Sequence, residues 1–276
     1  MTARTIDTGT VHLLATVEDR VATLTMNRPE RRNAFSGEML AGLARALDDA
    51  ESARDVGCVV LTGTAGAFSA GGDVKGMDER NSSAGEGPGI DARIHAQRLS
   101  QRATAGRIYT MPKPVIAALP GAAAGAGFAL AMACDLRIAS ANAVLITSFA
   151  RVGFSGDYGG TYFATQVVGA ARARELYYLS ERVSAEDALR IGLVNRVVPA
   201  AELERAAREL AQRLAHGPAV AYRYMKENIN RAASGADVFD CLDLEATHHV
   251  HTGLTEDHRE AARAFVEKRE PTFKGR

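Results

Sequence analysis

Residues 11–26, VHLLATVEDRVATLTM, hold two apolar, β-branched runs on either side of Glu18-Asp19-Arg20. That pattern predicts a β-hairpin with its turn at the charged triplet. A polar loop, NRPERRNAFS, follows. Ser36 is a good N-cap, and Met39, Leu40, Leu43 and Leu47 then recur on one helical face, predicting a helix through about Ser52. CVVLTG (58–63) and KPVIAAL (113–119) are short and continuously apolar, the signature of strands covered on both faces. A helix is expected over about 91–110, stopped before Pro112. DLRIAS (135–140) and AVLI (143–146) read as further short strands. From about Tyr162 the periodicity turns helical, and the last third is expected to be all-helical. Strands alternating with helices through the first two-thirds predict an α/β core.

Three segments break these periodicities, and each carries possible chemistry. AFSAGGDVK (67–75) follows a buried strand, where open α/β proteins place ligands. Gly71-Gly72 lets backbone N–H groups face outward, Asp73 is placed to bond the turn's amides, and Lys75 adds a positive charge. GAAAGAGFALAMACD (121–135) follows the next buried strand and starts a helix near Gly125 or Ala126. That helix is apolar on nearly every side, so its first N–H groups are buried and need an acceptor. A carbonyl developing negative charge is a suitable one. Each glycine segment alone is better read as a turn or as close packing. Two such loops after two buried strands suggest converging amides. Asp157, in RVGFSGDYGGTYF, is the one acidic residue between Asp135 and Glu175. It either caps the following helix or serves as a lone carboxylate for proton transfer.

Composition narrows the classes. The chain has 276 residues, 46% hydrophobic and 24% charged, enough for a large core. Lys+Arg and Asp+Glu are both 33, so no global field favours nucleic acid, and a polyanionic ligand must be met by local cations. The basic cluster RPERR (28–32) is one such group, or simply solvated. Three well-separated cysteines point to free thiols in the cytoplasm. No apolar run approaches the roughly 20 residues of a membrane span. The THHVH run (247–251) suggests a helix face rather than a metal site, and Tyr177 and Tyr178 are expected to pack helices.

Taken together, MNRPERRNAFS, AFSAGGDVKGM, KPVIAALPGAAAGAGFALAMACDLRIAS, SAEDALRIGLVNRVVP and the terminal AFVEKREPTFKGR resemble the crotonase, or enoyl-CoA hydratase/isomerase, family. The match runs over nearly the whole chain. The resemblance implies an α/β fold with a crotonase-like ββα spiral core over residues 1–197. It implies a C-terminal helical trimerisation region over 198–276, giving a homotrimer or a homohexamer built as a dimer of trimers. It implies an acyl-CoA thioester substrate, so that coenzyme A arrives as part of the substrate and no cofactor is tightly bound; neither nucleic acid nor membrane is an expected partner. Carried over by position, the oxyanion amides fall on Gly72 and Ala126. The CoA path falls on Ala70, Asp73, Val74 and Lys75, with Lys268 reaching CoA held by a neighbouring subunit.

The departures from the family are specific. The two glutamates with which family hydratases hold water align with Ala129 and Phe149, neither of which transfers protons. Asp157 instead matches the aspartate used by isomerase branches, with Gly156 where a proline is usual. The pattern is most similar to the 1,2-epoxyphenylacetyl-CoA isomerase branch, and less so to the dihydroxynaphthoyl-CoA synthase branch. Double-bond isomerisation with Asp157 as proton shuttle is therefore the first expectation. Hydration with a non-standard acid/base set and a non-catalytic acyl-CoA binder stay open.

Overall fold

The computed structural model describes residues 3–73, 76 and 89–276. The chain opens with β1 (Arg4–Thr5), β2 (Leu13–Glu18) and β3 (Val21–Met26), an antiparallel meander. Asp19 and Arg20 both adopt positive φ, 46° and 64°, so the expected hairpin closes through a two-residue turn whose twist suits the strands. Helix α1 (Gly37–Ser52) starts where expected, with Ser36 Oγ accepting from the Met39 N–H at 3.1 Å. Then come β4 (Cys58–Gly63), β5 (Ala67–Ser69) and α2 (Ile90–Gln101). α2 continues through a π turn (Arg102–Gly106) into a last helical turn (Arg107–Thr110) ahead of Pro112.

The pattern repeats with β6 (Val115–Leu119), β7 (Ala122–Ala124) and α3 (Ala126–Ala133). It repeats again with β8 (Leu136–Ser140), β9 (Val144–Ile146) and α4 (Gly160–Leu179). After β10 (Val183–Ser184) come α5 (Ala185–Arg190), β11 (Arg196–Val198), α6 (Leu203–Ala215), α7 (Ala219–Ala233), α8 (Val238–Gly253) and α9 (Glu256–Glu267).

From β4 onward, each β-β-helix unit places its first strand in one sheet and its second strand in another. The larger sheet runs β1-β2-β3-β4-β6-β8-β11 and is parallel from β3 onward. The smaller runs β10-β9-β7-β5 and is parallel except at β10. This is the expected spiral of ββα turns. The final third departs from the expectation of an all-helical region, because β11 joins the large sheet beside β8. Its three residues are too few to show a period, and the pairing of Val197 with Ala139 fixes them.

Burial follows the pattern. Val59, Leu61, Val115, Ala117 and Leu119 point into the main core with α1 and α3, while Val60, Ile116, Ala118 and Ile138 face α6 through Leu203, Ala207, Ala211 and Ala215. Both faces of the central strands are covered, which accounts for their continuous apolar runs. All eight residues of α3 are buried.

Candidate active site

The site begins where β5 and β7 end. Their carboxyl ends lie side by side, paired Ala67 with Ala122 and Ser69 with Ala123. Beyond them the two glycine loops touch. A methyl group on Gly71, whose φ is +82°, would lie 2.4 Å from the Ala124 carbonyl oxygen and 2.9 Å from the Ala126 nitrogen. Only a residue without a side chain permits this approach. The Ser69 hydroxyl steadies the first loop by donating to the Asn33 carbonyl at 2.7 Å and accepting from the Gly71 N–H at 3.0 Å. Fully buried Asn33 braces the same loop from beneath, its amide donating to the carbonyls of Thr64 and Ala67.

The convergence brings Gly72 and Ala126 to one cavity of about 280 Å³, together with Asp157. Among the described residues neither the Gly72 nor the Ala126 N–H donates a hydrogen bond. Phe35, Leu40 and Tyr158 give the cavity apolar walls, and Asp73 and Gln97 stand at its polar side. A second cavity, of about 470 Å³, shares Gly72 and Asp73 and is lined by Ala70, Glu30, Arg31, Arg32 and Ala34. So the basic cluster of the first loop stands beside the glycine turn. Asp73 fixes that turn as expected: its carboxylate accepts from the Gly76 N–H at 3.1 Å and faces the Arg28 guanidinium at 3.4 Å. Those donors hold its pKa below the usual carboxylate value.

Asp157 is the opposite case. It sits in the turn ahead of α4, but no side chain caps that helix, which starts from Gly159 in the left-handed region. The capping role weighed from sequence is therefore not the one the fold uses. Its Oδ1 is buried without a hydrogen-bond partner among the described residues. Burial alone pushes its pKa from 3.8 up to about 6. Of the aromatic residues close to it in sequence, Phe149, Tyr158 and Phe163 are buried, but Phe154 is exposed to solvent.

Ala129 and Phe149 are both buried and carry no acid into the site. Phe149 stacks on Tyr177 with ring centroids 5.7 Å apart and planes 9° apart. Tyr177 thus reaches the site, although its position in the helical run suggested packing alone; Tyr178 beside it is exposed. The sequence carried no signal for this, since a Tyr at apolar helical spacing looks the same wherever its hydroxyl ends up.

Among the expected CoA contacts, Ala70 and Asp73 line the second cavity, whereas Val74 and Lys75 lie outside the described residues, as does most of the 80–90 segment. Lys268 is exposed at the left-handed cap of α9 and lines neither cavity of its own chain. The histidine run is structural: His248 Nδ1 lies 2.6 Å from Asn228 Oδ1, and its ring stacks on Tyr224, joining α8 to α7. Among the described residues no group of three or more His, Cys, Asp or Glu is placed to hold a metal ion. Among them also, no helix is long and apolar enough to cross a membrane.

The family model described as enoyl-CoA hydratase/isomerase matches residues 16–276 of the chain. A 1,2-epoxyphenylacetyl-CoA isomerase of Escherichia coli is 38% identical over 264 residues, covering 96% of this chain and 98% of the relative. A short-chain-enoyl-CoA hydratase of Clostridium acetobutylicum is 36% identical over 253 residues, covering 91% and 93%. Among solved structures, an enoyl-CoA hydratase from Polaromonas sp. JS666 superposes with a TM-score of 0.87 at 35% identity, over 95% of this chain and 99% of that one.

Proposed function

The chain belongs to the enoyl-CoA hydratase/isomerase family, and from that premise we propose that it shifts a double bond in an acyl-CoA thioester, with Asp157 as the proton shuttle. The observation that carries this reading is the Asp157 carboxylate, whose buried Oδ1 has no hydrogen-bond partner among the described residues, in the cavity shared with Gly72 and Ala126. The thioester oxygen accepts from the Gly72 and Ala126 N–H groups, and their donation stabilises the enolate or dienolate. A donor of this kind is typically worth about 2.7–4 kcal/mol of barrier. Asp157 takes the proton from the carbon α or γ to the thioester, holds it, and returns it to the other carbon. Substrate and product have the same composition, so no water or co-reactant is needed. A carboxylate with a pKa near 6 suits both halves of the exchange at neutral pH.

The adenine and pantetheine portions of CoA follow the second cavity past Ala70 and Asp73. Arg31 and Arg32 face its phosphates there. Lys75, and Lys268 of a neighbouring subunit, complete the cationic set. The oligomer is a homotrimer or homohexamer in the cytoplasm, and 198–276 supplies its contacts.

Asp157→Asn tests the shuttle. Turnover of 2-enoyl-, 3-enoyl- and aromatic-ring CoA esters, followed by mass spectrometry, should fall about 10²- to 10⁴-fold. In the native enzyme the product should keep the substrate's mass and change retention. Full activity in the variant would rule out Asp157 as the base. A native enzyme that adds the mass of water to 2-enoyl esters, without isomerising 3-enoyl esters, would make hydration the activity.

A further inference from the structure

Two buried oxygens of the site lack hydrogen-bond partners among the described residues: Asp157 Oδ1 and the Tyr177 hydroxyl. Native proteins seldom leave such groups unsatisfied. The two are neighbours. Tyr177 comes from the far end of α4 and runs beneath the turn that carries Asp157. A methyl group on Gly156 would lie 3.3 Å from its ring, and one on Gly160 would lie 2.4 Å from its hydroxyl and 2.8 Å from Ala129 Cβ. The Gly160 N–H in turn donates to the Asp157 carbonyl at 3.0 Å. Phe149 and Phe128 hold the ring on either side. The phenol therefore ends beside Ala129, between two glycines that flank the aspartate.

Burial and the Asp157 charge push the Tyr177 pKa up, so the phenol stays protonated and keeps its O–H to donate. No direct hydrogen bond joins it to the carboxylate. A polar pair that is close, buried and out of direct reach is the usual setting for a bridging water.

We propose that Tyr177 is a positioning residue for Asp157, its hydroxyl bonding Oδ1 through one buried water so that Oδ2 is the oxygen presented to the substrate. The proposal rests on Asp157 as the shuttle and adds a residue that neither the glycine loops nor the aspartate motif contains. The bridge fixes the carboxylate rotamer and favours its charged form. It acts from the space beside Ala129.

Tyr177→Phe keeps the ring between Phe149 and Phe128 and removes only the donor. With carbonyl-¹³C-aspartate, the Asp157 carboxyl resonance is identified by its loss in Asp157→Asn. In Tyr177→Phe that resonance should titrate about one pH unit higher. Turnover below pH 6 should fall about tenfold while KM stays within twofold. Site-specific 3-fluorotyrosine at 177, a stronger donor of nearly the same shape, should move the titration the other way. An Asp157 titration unmoved by both replacements overturns the proposal, whatever the activity does. Should Tyr177→Phe fail to fold, the fluorotyrosine protein decides alone. If Asp157→Asn stays active, the shuttle is wrong, and the titration still reports whether the bridge exists.

Discussion

Asp73 and Asp157 line one cavity and have opposite electrostatic surroundings. Asp73 faces an N–H and a guanidinium and stays ionised, whereas Asp157 Oδ1 has no direct donor among the described residues and burial pushes the carboxyl up to about 6. Environments that separate two carboxylates in this way assign their roles: one holds the turn, the other exchanges protons. The sign for stability follows from the raised value. Folding favours the protonated form of Asp157, so its contribution is fully present below pH 3.8 and is lost as pH rises through about 6. Asp157→Asn should therefore stabilise the fold at pH 7–8 by on the order of 1–3 kcal/mol, seen as a higher melting temperature, and change little below about pH 4. Thermal melts of both proteins across pH 3.5–8 check this; equal melting curves at pH 8 would mean the carboxylate is not strained by burial. At this scale Asp157 was legible, because no other acid lies between Asp135 and Glu175. Its missing cap and the hydroxyl of Tyr177 were not, because both depend on what a distant turn brings alongside.

Elements were legible in proportion to their length. The hairpin, α1, β4, β6 and α3 each carry a period or an apolar run long enough to read. β5, β7 and β11 have three residues each, and Ala-Ala-Ala has no β signature; parallel pairing with neighbours makes them strands. Yet β5 and β7 are the elements that aim the two glycine loops at each other. Gly71 measures how tightly. Gly71→Ala would force the first loop off the Ala124 carbonyl and the Ala126 nitrogen, and its φ of +82° adds strain. The expected cost is about 2–4 kcal/mol of stability, with turnover down more than a hundredfold. Gly66→Ala is the control: its φ is +70°, but nothing lies within 4 Å of the added methyl. It should lose about 1–2 kcal/mol and keep its turnover. If both variants lose activity equally in steady-state assays, loop strain rather than loop separation governs the site.

At the scale of the whole molecule, α8 and α9 leave large apolar side chains uncovered. Phe239 in α8 is 72% exposed, and Phe265 and Val266 in α9 are 86% and 80% exposed. No residue of α7 is buried, and α8 buries only His248. Helices so thinly packed gain little from their own chain, and large apolar side chains left this exposed suit an interaction surface. Composition hid this, since a balanced charge and an ordinary hydrophobic fraction say nothing about where the apolar residues end up. A second copy of the chain is the proposed cover, and Lys268 stands next to the exposed pair at the end of α9. The native protein should sediment at three or six times the mass of the chain. Phe265→Glu with Val266→Glu should shift it toward the monomer and raise KM for CoA esters, because the Lys268 of the neighbouring subunit leaves the site. Lys268→Ala should raise KM about three- to tenfold through the lost phosphate contact while the assembly stays intact. A native monomer would remove the role given to the helical end, whereas an intact oligomer with unchanged KM in Lys268→Ala would remove only the lysine's reach across the interface.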